Sequence, residues 1–165
     1  MFELKPLSRQ AIPAALEKAH RYRLLNEPAE AESICRDVLE IDPGNQQALV
    51  ALILALSDQL ADRPASVLEA QEYLGRIEDE YTRLYYGGIL IERRAKATLH
   101  AGGPGSGSMA YDYLRQAMEL FGRAIAARPP DNDDAVLRWN TCVRLLAANP
   151  ELQPAPLDTF QPLLE

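Results

Sequence analysis

The sequence predicts an all-α fold made of antiparallel helix hairpins, and three observations support this. Apolar residues recur at three- and four-residue steps, as at Ala31, Cys35 and Val38, which is the period of a helix. Prolines and glycines interrupt the pattern at short intervals, as hairpin turns require. The chain is rich in the helix formers Ala, Leu, Glu and Arg, and no segment reads convincingly as a strand.

Each predicted helix is bounded by turn residues. Pro28 and Pro64 stand near helix starts, where the missing proline N–H does no harm, and Asp42-Pro43-Gly44-Asn45 ends the second helix. Pro129-Pro130-Asp131-Asn132 ends the sixth helix, and the acidic pair that follows favours a new helix N-terminus. The first predicted helix precedes Asn26, and the others cover about residues 28–41, 46–59, 65–80, 81–99, 109–127 and 133–148.

The C-terminal segment 149–165 is rich in proline and is not expected to be helical for long. Its apolar residues are expected to lie extended along the body of the protein. They are Leu152, Leu157, Phe160 and Leu163.

Small and bulky residues recur at matching positions in the hairpins. The first hairpin carries Ala19, Tyr22, Ala31, Cys35, Val38 and Pro43. The third carries Gly87, Gly88, Ile91, Ala117, Phe121, Ala124 and Pro129. These two hairpins resemble the tetratricopeptide repeat (TPR), in which small residues let paired helices approach and large ones fill the gap to the next pair. The second hairpin is degenerate and lacks the closing proline.

The resemblance implies an architecture of stacked hairpins. Residues 1–148 would form a short right-handed TPR-like solenoid, with repeats at about 12–45, 46–80 and 81–130 and a capping helix at 133–148. Residues 149–165 would form a proline-rich tail. In such a solenoid the first helix of each repeat lines a concave groove that takes a partner peptide or helix.

Matching this chain to the groove positions of the family gives a set of candidate partner-binding residues. They are Leu16, His20, Arg23, Leu24, Val50, Leu54, Asp58, Tyr85, Ile89, Glu92 and Arg93. A packing role for most of them is an equal alternative. The carboxylate clamp by which some TPR domains grip chaperone C-termini is absent, because Leu16, His20, Ala51, Thr82 and Tyr86 stand at the matching positions.

These features predict a non-catalytic adaptor or scaffold that binds another protein. Arg93, Arg94 and Lys96 would select an acidic flank in the partner. Two alternatives stay open: a bacterial secretion-type chaperone for an exported protein, and a structural homodimer.

The glycine-rich segment between the fifth and sixth helices raises a separate question. Its spacing is close to that of a P-loop, but Ser108 and Met109 replace the Lys and Ser/Thr of that motif, and a helix rather than a strand is predicted before it. Nucleotide binding is therefore excluded here. Segment 101–108 is predicted to be either a long flexible connector or a partner-contacting loop through Gly102, Gly103, Gly105, Gly107 and Ser108.

Charge, hydropathy and the few histidines and cysteines argue against several other classes of function. A net charge of −7 argues against general nucleic-acid binding. No apolar run is long enough to cross a membrane, and the N-terminus lacks a signal-peptide pattern, so a soluble cytoplasmic protein is expected. His20 and His100 lie in no metal or nucleophile motif, so neither metal nor cofactor is expected. Cys35 and Cys142 sit at apolar helical positions and should be buried thiols.

Overall fold

The computed structural model describes residues 2–156, and within them every regular element is helical, which confirms the all-α prediction. A single 3-10 turn, Arg9–Ala11, precedes the first α-helix. The α-helices of this part of the chain are α1 (Ile12–Leu24), α2 (Pro28–Ile41), α3 (Gln46–Asp58), α4 (Ser66–Leu74), α5 (Glu80–Ala101), α6 (Ser106–Ala127) and α7 (Asp134–Ala148).

Local capping explains several of these boundaries. Pro28 occupies the start of α2, as predicted. The Asn45 side chain accepts a hydrogen bond from the Ala48 backbone N–H at 2.9 Å and so caps α3. The Asp79 carboxylate accepts from the Thr82 backbone N–H at 2.8 Å and from its hydroxyl at 2.6 Å, which fixes the start of α5.

Each helix packs against the next one along the chain, and the odd-numbered helices also contact one another in the order α1, α3, α5 and α7. The contact between α5 and α6 is the most extensive. Because only four residues join these two helices, they run antiparallel. The arrangement brings one side of α1, α3 and α5 together, and that side carries most of the candidate residues.

Small residues let the helices approach closely at the positions where the sequence predicts it. Ala19, Ala31 and Cys35 are fully buried in one core cluster with residues of α3. Gly88 of α5 faces the ring of Phe121 on α6, and a Cβ on this glycine would lie only 2.4 Å from the ring. The small-against-large fit is therefore present in both hairpins that carry the repeat-like residues.

Three predicted helix boundaries are wrong. The fourth helix ends at Leu74 rather than near Glu80, because Gly75 follows it and the chain then turns to bury Ile77 and to place Asp79 as the cap of α5. The connector 101–108 is also shorter than predicted. Helix α5 continues to Ala101 and α6 begins at Ser106, which leaves the ordinary length of a helix–helix connection.

The C-terminal segment returns to the body of the protein after α7. Leu152 is buried against residues of α5 and α6, as expected from the sequence. Leu157, Phe160 and Leu163 lie outside the described residues. Among residues 2–156, no helix is both long enough and apolar enough to span a membrane.

Candidate functional site

A chain of ion pairs crosses the side of the protein where α1, α3 and α5 meet. The Asp58 carboxylate of α3 accepts from Arg23 Nε of α1 at 2.7 Å through one oxygen. Its other oxygen lies 2.7 Å from Arg93 Nη1 of α5. The three side chains are only 17–25% exposed, so water screens the pairs less than it would on an open surface. The carboxylate of Asp58 on α3 thus pairs with one arginine from α1 and one from α5, and links the three helices.

Arg93 also hydrogen bonds to α3 directly. Its Nη1 donates to the Ser57 hydroxyl at 2.5 Å and to the Leu54 carbonyl at 3.2 Å. Burial lowers the pKa of the Arg93 guanidinium, the charge of Asp58 raises it, and the charge of Arg23 lowers it further, with a net lowering. An arginine stays protonated under any condition in which the protein folds, so Arg93 is a fixed positive charge.

A second cluster extends this charged region to α7. Glu92 is 1% exposed, and its Oε1 accepts from Lys96 one turn along α5 and lies 3.6 Å from Arg138 Nη1 of α7. The other carboxylate oxygen of Glu92 is buried and accepts no hydrogen bond from the described residues. We call the whole group the charged strip; its members are Arg23, Asp58, Glu92, Arg93, Lys96 and Arg138.

Tyrosines of α5 form an aromatic cluster near the start of that helix. The rings of Tyr81 and Tyr85 stack with centroids 5.8 Å apart, and Tyr85 meets Tyr86 edge-on at 5.0 Å. Tyr85 also packs against Phe121 of α6 at 6.2 Å. Burial and the neighbouring Tyr85 and Asp134 raise the pKa of the Tyr86 hydroxyl, so this tyrosine is neutral near pH 7.

The predicted groove residues divide by burial. Leu16, Ile89 and Glu92 are buried and contribute to packing rather than to an open surface. Arg23, Val50, Leu54, Tyr85 and Arg93 are partly buried, while His20 and Leu24 are exposed. Asp58 has a side chain 24% exposed. The structure therefore brings Arg23, Asp58 and Arg93 into direct contact. The groove candidates Leu54 and Tyr85 pack against the hydrophobic core instead of forming an open surface.

Sequence reasoning did not anticipate Ser57 or Arg138 in this region. Arg138 stands in the middle of α7, and nothing local distinguishes it from other arginines of the chain. Its contact with Glu92 depends on how α7 packs against α5. A covarying pair would have been the only sequence signal that could reveal it.

The glycine segment has a structural explanation that differs from residue to residue. Gly102, Gly103 and Gly105 have φ values of +68°, +98° and +77°, which residues other than glycine rarely adopt. Gly107 and Ser108 belong to α6, not to the connector. A Cβ on Gly107 would lie 2.4 Å from the Glu151 carbonyl oxygen, so this glycine lets the C-terminal segment pack against α6. Helix α5 leads into these glycines, where a P-loop needs a strand.

No cluster of His, Cys, Asp and Glu able to hold a metal ion occurs among residues 2–156. Cys35 and Cys142 are both buried free thiols, as predicted. Burial is the main cause that raises the pKa of Cys35 to about 12 and that of Cys142 to about 11. These thiols are therefore poor nucleophiles in the folded protein.

A scan against models of protein families, a search of curated proteins and a search of solved structures each found no match to this chain.

Proposed function

We propose that the protein is a non-catalytic adaptor with a short TPR-like solenoid, and that it binds an acidic segment of another protein along the charged strip. In this proposal α1, α3 and α5 are the first helices of three repeats and share one concave face. Helix α7 caps the third repeat. The contacts among the odd-numbered helices support this arrangement, because stacked repeats place their first helices side by side.

The observation that carries the proposal is the surplus of positive charge in the charged strip. It contains four cations, Arg23, Arg93, Lys96 and Arg138, but only two carboxylates, Asp58 and Glu92. The protein as a whole has the opposite balance, with a net charge of −7. A basic strip on an acidic protein attracts an acidic segment of a partner.

The geometry also leaves room for a new contact. Arg138 has a side chain 34% exposed and Lys96 one 43% exposed, and each shares the same oxygen of Glu92. Guanidinium and ammonium groups carry several N–H donors, so both side chains can donate to a further carboxylate while they stay in contact with Glu92. Exposed Leu24 and His20 at the α1 end of the face provide apolar and polar contacts beside them.

The test is a double variant that lowers the charge of the strip without leaving a carboxylate alone. In Arg23→Gln/Arg138→Gln, Asp58 keeps Arg93 and Glu92 keeps Lys96. Affinity purification from the native cell with quantitative mass spectrometry should show a partner that the double variant binds about tenfold or more weakly, since charged hydrogen bonds contribute about 1.5–3 kcal/mol each.

The matched control is Arg115→Gln/Arg123→Gln, which removes the same charge from two exposed positions of α6. Circular dichroism should show all three proteins folded. Partners that bind the control variant and the wild type equally, and that depend on salt concentration, support the proposal. Equal recovery of every partner by the strip variant and the control would contradict it.

Self-association is a second candidate, because the neighbouring side chains Leu24 and Leu25 are 87% and 63% exposed at the end of α1. A symmetric dimer built on these leucines would cover the α1 end of the strip. Light scattering at several protein concentrations distinguishes the two functions, since the adaptor is monomeric and Leu24→Asp would dissociate the dimer.

A further inference from the structure

A half-open cleft lies beside the connector between α5 and α6, and no member of the charged strip lines it. Its walls are the α3–α4 connection, the C-terminal half of α5 and the first turns of α6. Its volume is about 340 Å³, at the lower end of the range of ligand pockets, which suits one or two side chains of a partner. The floor is apolar, with Leu60 and Ala97, and Met109 stands at the rim with half of its surface exposed.

Arg94 is the one charged side chain that lines this cleft within residues 2–156. The Arg94 guanidinium carbon lies 4.3 Å from the centre of the Tyr113 ring, so a cation–π contact holds the flat group in place. Among residues 2–156, Arg94 forms neither an ion pair nor a side-chain hydrogen bond. Its neighbour Arg93 points instead to Asp58, Ser57 and Leu54. The two consecutive arginines of α5 therefore serve different surfaces.

The surroundings of Arg94 do not neutralise it. No Asp or Glu is found among the described residues that line the cleft. Glu151, whose backbone carbonyl approaches Gly107 at the start of α6, makes no ion pair with Arg94 in the described part of the chain. Helix α6 adds to the positive potential, because Gly105 offers no capping side chain and the first turn contains no acidic residue.

We propose that this cleft is a second docking site, for a segment of another protein in which an apolar side chain is followed by Asp or Glu. The apolar side chain packs over Leu60 and Ala97 beside Met109. The carboxylate accepts two N–H donors from the edge of Arg94, whose face is held by Tyr113. Charge complementarity sets the order, because Arg94 is the only cation among the described residues that line the cleft, and Leu60 and Ala97 are apolar.

The site is tested with a defined probe and the full-length protein. The probe is the acetylated, amidated peptide Gly-Gly-Phe-Asp-Asp-Gly-Gly, titrated into isotope-labelled protein and followed by NMR. We expect the backbone signals of Thr98, Met109 and Tyr113 to shift, and those of Arg23 and Asp58 to stay unchanged. Peptides with Lys-Lys in place of Asp-Asp, or with Gly in place of Phe, should bind about tenfold more weakly or not at all.

Two variants address the two halves of the site independently. Arg94→Gln removes the cation, and Met109→Glu places a carboxylate at the rim, where it competes with the peptide for Arg94. Each variant should bind the peptide about tenfold more weakly than the wild type does. Arg115→Gln, an exposed arginine of α6 in no described ion pair, is the matched control and should leave affinity within about twofold. Circular dichroism checks that each variant is folded. If Arg94→Gln does not fold, Met109→Glu still tests the site.

Four outcomes overturn the proposal. One is the absence of any shift at the cleft with peptide at about 1 mM. A second is an equal response to the Lys-Lys peptide. A third is a change of the cleft signals with protein concentration alone, which would make a second copy the occupant. The last is a change of these signals in Asp158→Asn/Glu165→Gln without peptide, which would assign the cleft to the chain's own C-terminal residues. The strip variant Arg23→Gln/Arg138→Gln should bind this peptide normally, so the two sites succeed or fail separately.

Discussion

Substituting Gly88 by alanine tests whether the α5–α6 contact is as tight as the structure indicates. An added Cβ would lie 2.4 Å from Phe121 Cε1, 2.7 Å from Cδ1 and 2.9 Å from Cζ. The ring of Phe121 is fully buried, and protein interiors are close-packed, so the ring cannot move aside without disturbing its neighbours. In an open helix, alanine stabilises by about 1 kcal/mol relative to glycine. Here overpacking costs about 1–3 kcal/mol and outweighs that gain.

The measurement is urea unfolding of Gly88→Ala beside Gly122→Ala, the matched control. Gly122 is also a helical glycine, but its added Cβ would lie 3.4 Å from Trp139 Cζ3, which is close to an ordinary contact. Because three atoms of the Phe121 ring would lie within 3.0 Å of the Cβ added at Gly88, we expect a cost in the upper part of the overpacking range, about 2–3 kcal/mol. After the helix gain of about 1 kcal/mol is subtracted, Gly88→Ala should lower the free energy of unfolding by about 1–2 kcal/mol. Gly122→Ala should be neutral or stabilising by up to about 1 kcal/mol.

A double-mutant cycle identifies the clash as the cause. Phe121→Leu replaces the ring with a smaller side chain and should remove the clash with the alanine at position 88. The double variant should therefore lose less free energy of unfolding than the sum of the two single variants, by about 1 kcal/mol or more. Equal stability of Gly88→Ala and Gly122→Ala would refute the reasoning. So would additivity in the cycle, because the damage would then come from something other than the ring.

Three further predictions follow from the same geometry. Gly107→Ala should release the C-terminal segment from α6, because its Cβ would lie 2.4 Å from the Glu151 carbonyl oxygen, and hydrogen exchange near residues 149–152 should rise at least about tenfold. Glu32 is buried, which raises its carboxyl pKa, but hydrogen bonds and charges from its partners lower it to a net value below 4.5. The ionised Glu32 therefore stabilises the folded protein above pH 4.5, and this stabilisation is lost as pH falls through the lower pKa of the folded state. In Glu32→Gln the free energy of unfolding should depend less on pH over that acidic range, and it should be lower than that of the wild type by about 1–3 kcal/mol near neutrality. The thiols of Cys35 and Cys142 should react with a disulfide reagent near pH 8 only when urea is added, since their raised pKa values of about 12 and 11 and their burial protect them; rapid reaction of the folded protein would contradict this.

Helix positions were largely predictable because they depend on neighbours in sequence. Pro28 acts through its fixed φ at the first position of α2, and Asn45 acts through a hydrogen bond within the first turn of α3. The end of α4 was not predictable in the same way. It depends on burial of Ile77 and on the choice of Asp79 as a cap, and the apolar periodicity alone continues through both.

The candidate site shows the same division. The resemblance to the tetratricopeptide repeat predicted that Arg23, Asp58 and Arg93 lie on one face, because all three match groove positions of that family. It did not indicate that Glu92 is buried, since a carboxylate is ordinarily exposed, nor that Arg138 of α7 lies beside it. Arg93 and Arg94 are consecutive arginines that the sequence does not distinguish. Contacts with other helices place Arg93 in the charged strip and Arg94 in the cleft.

The sequence by itself determined the all-helical character of the described chain, most helix boundaries and the burial of both cysteines. These follow from periodicity, capping and turn chemistry, which act over a few residues. Only the tertiary structure decided which charges pair, why Gly107 must lack a side chain and where a cleft is left open. Each of those depends on contacts between residues about 35–45 positions apart, such as Arg23 with Asp58 and Gly107 with Glu151, and backbone geometry along one helix carries no information about them.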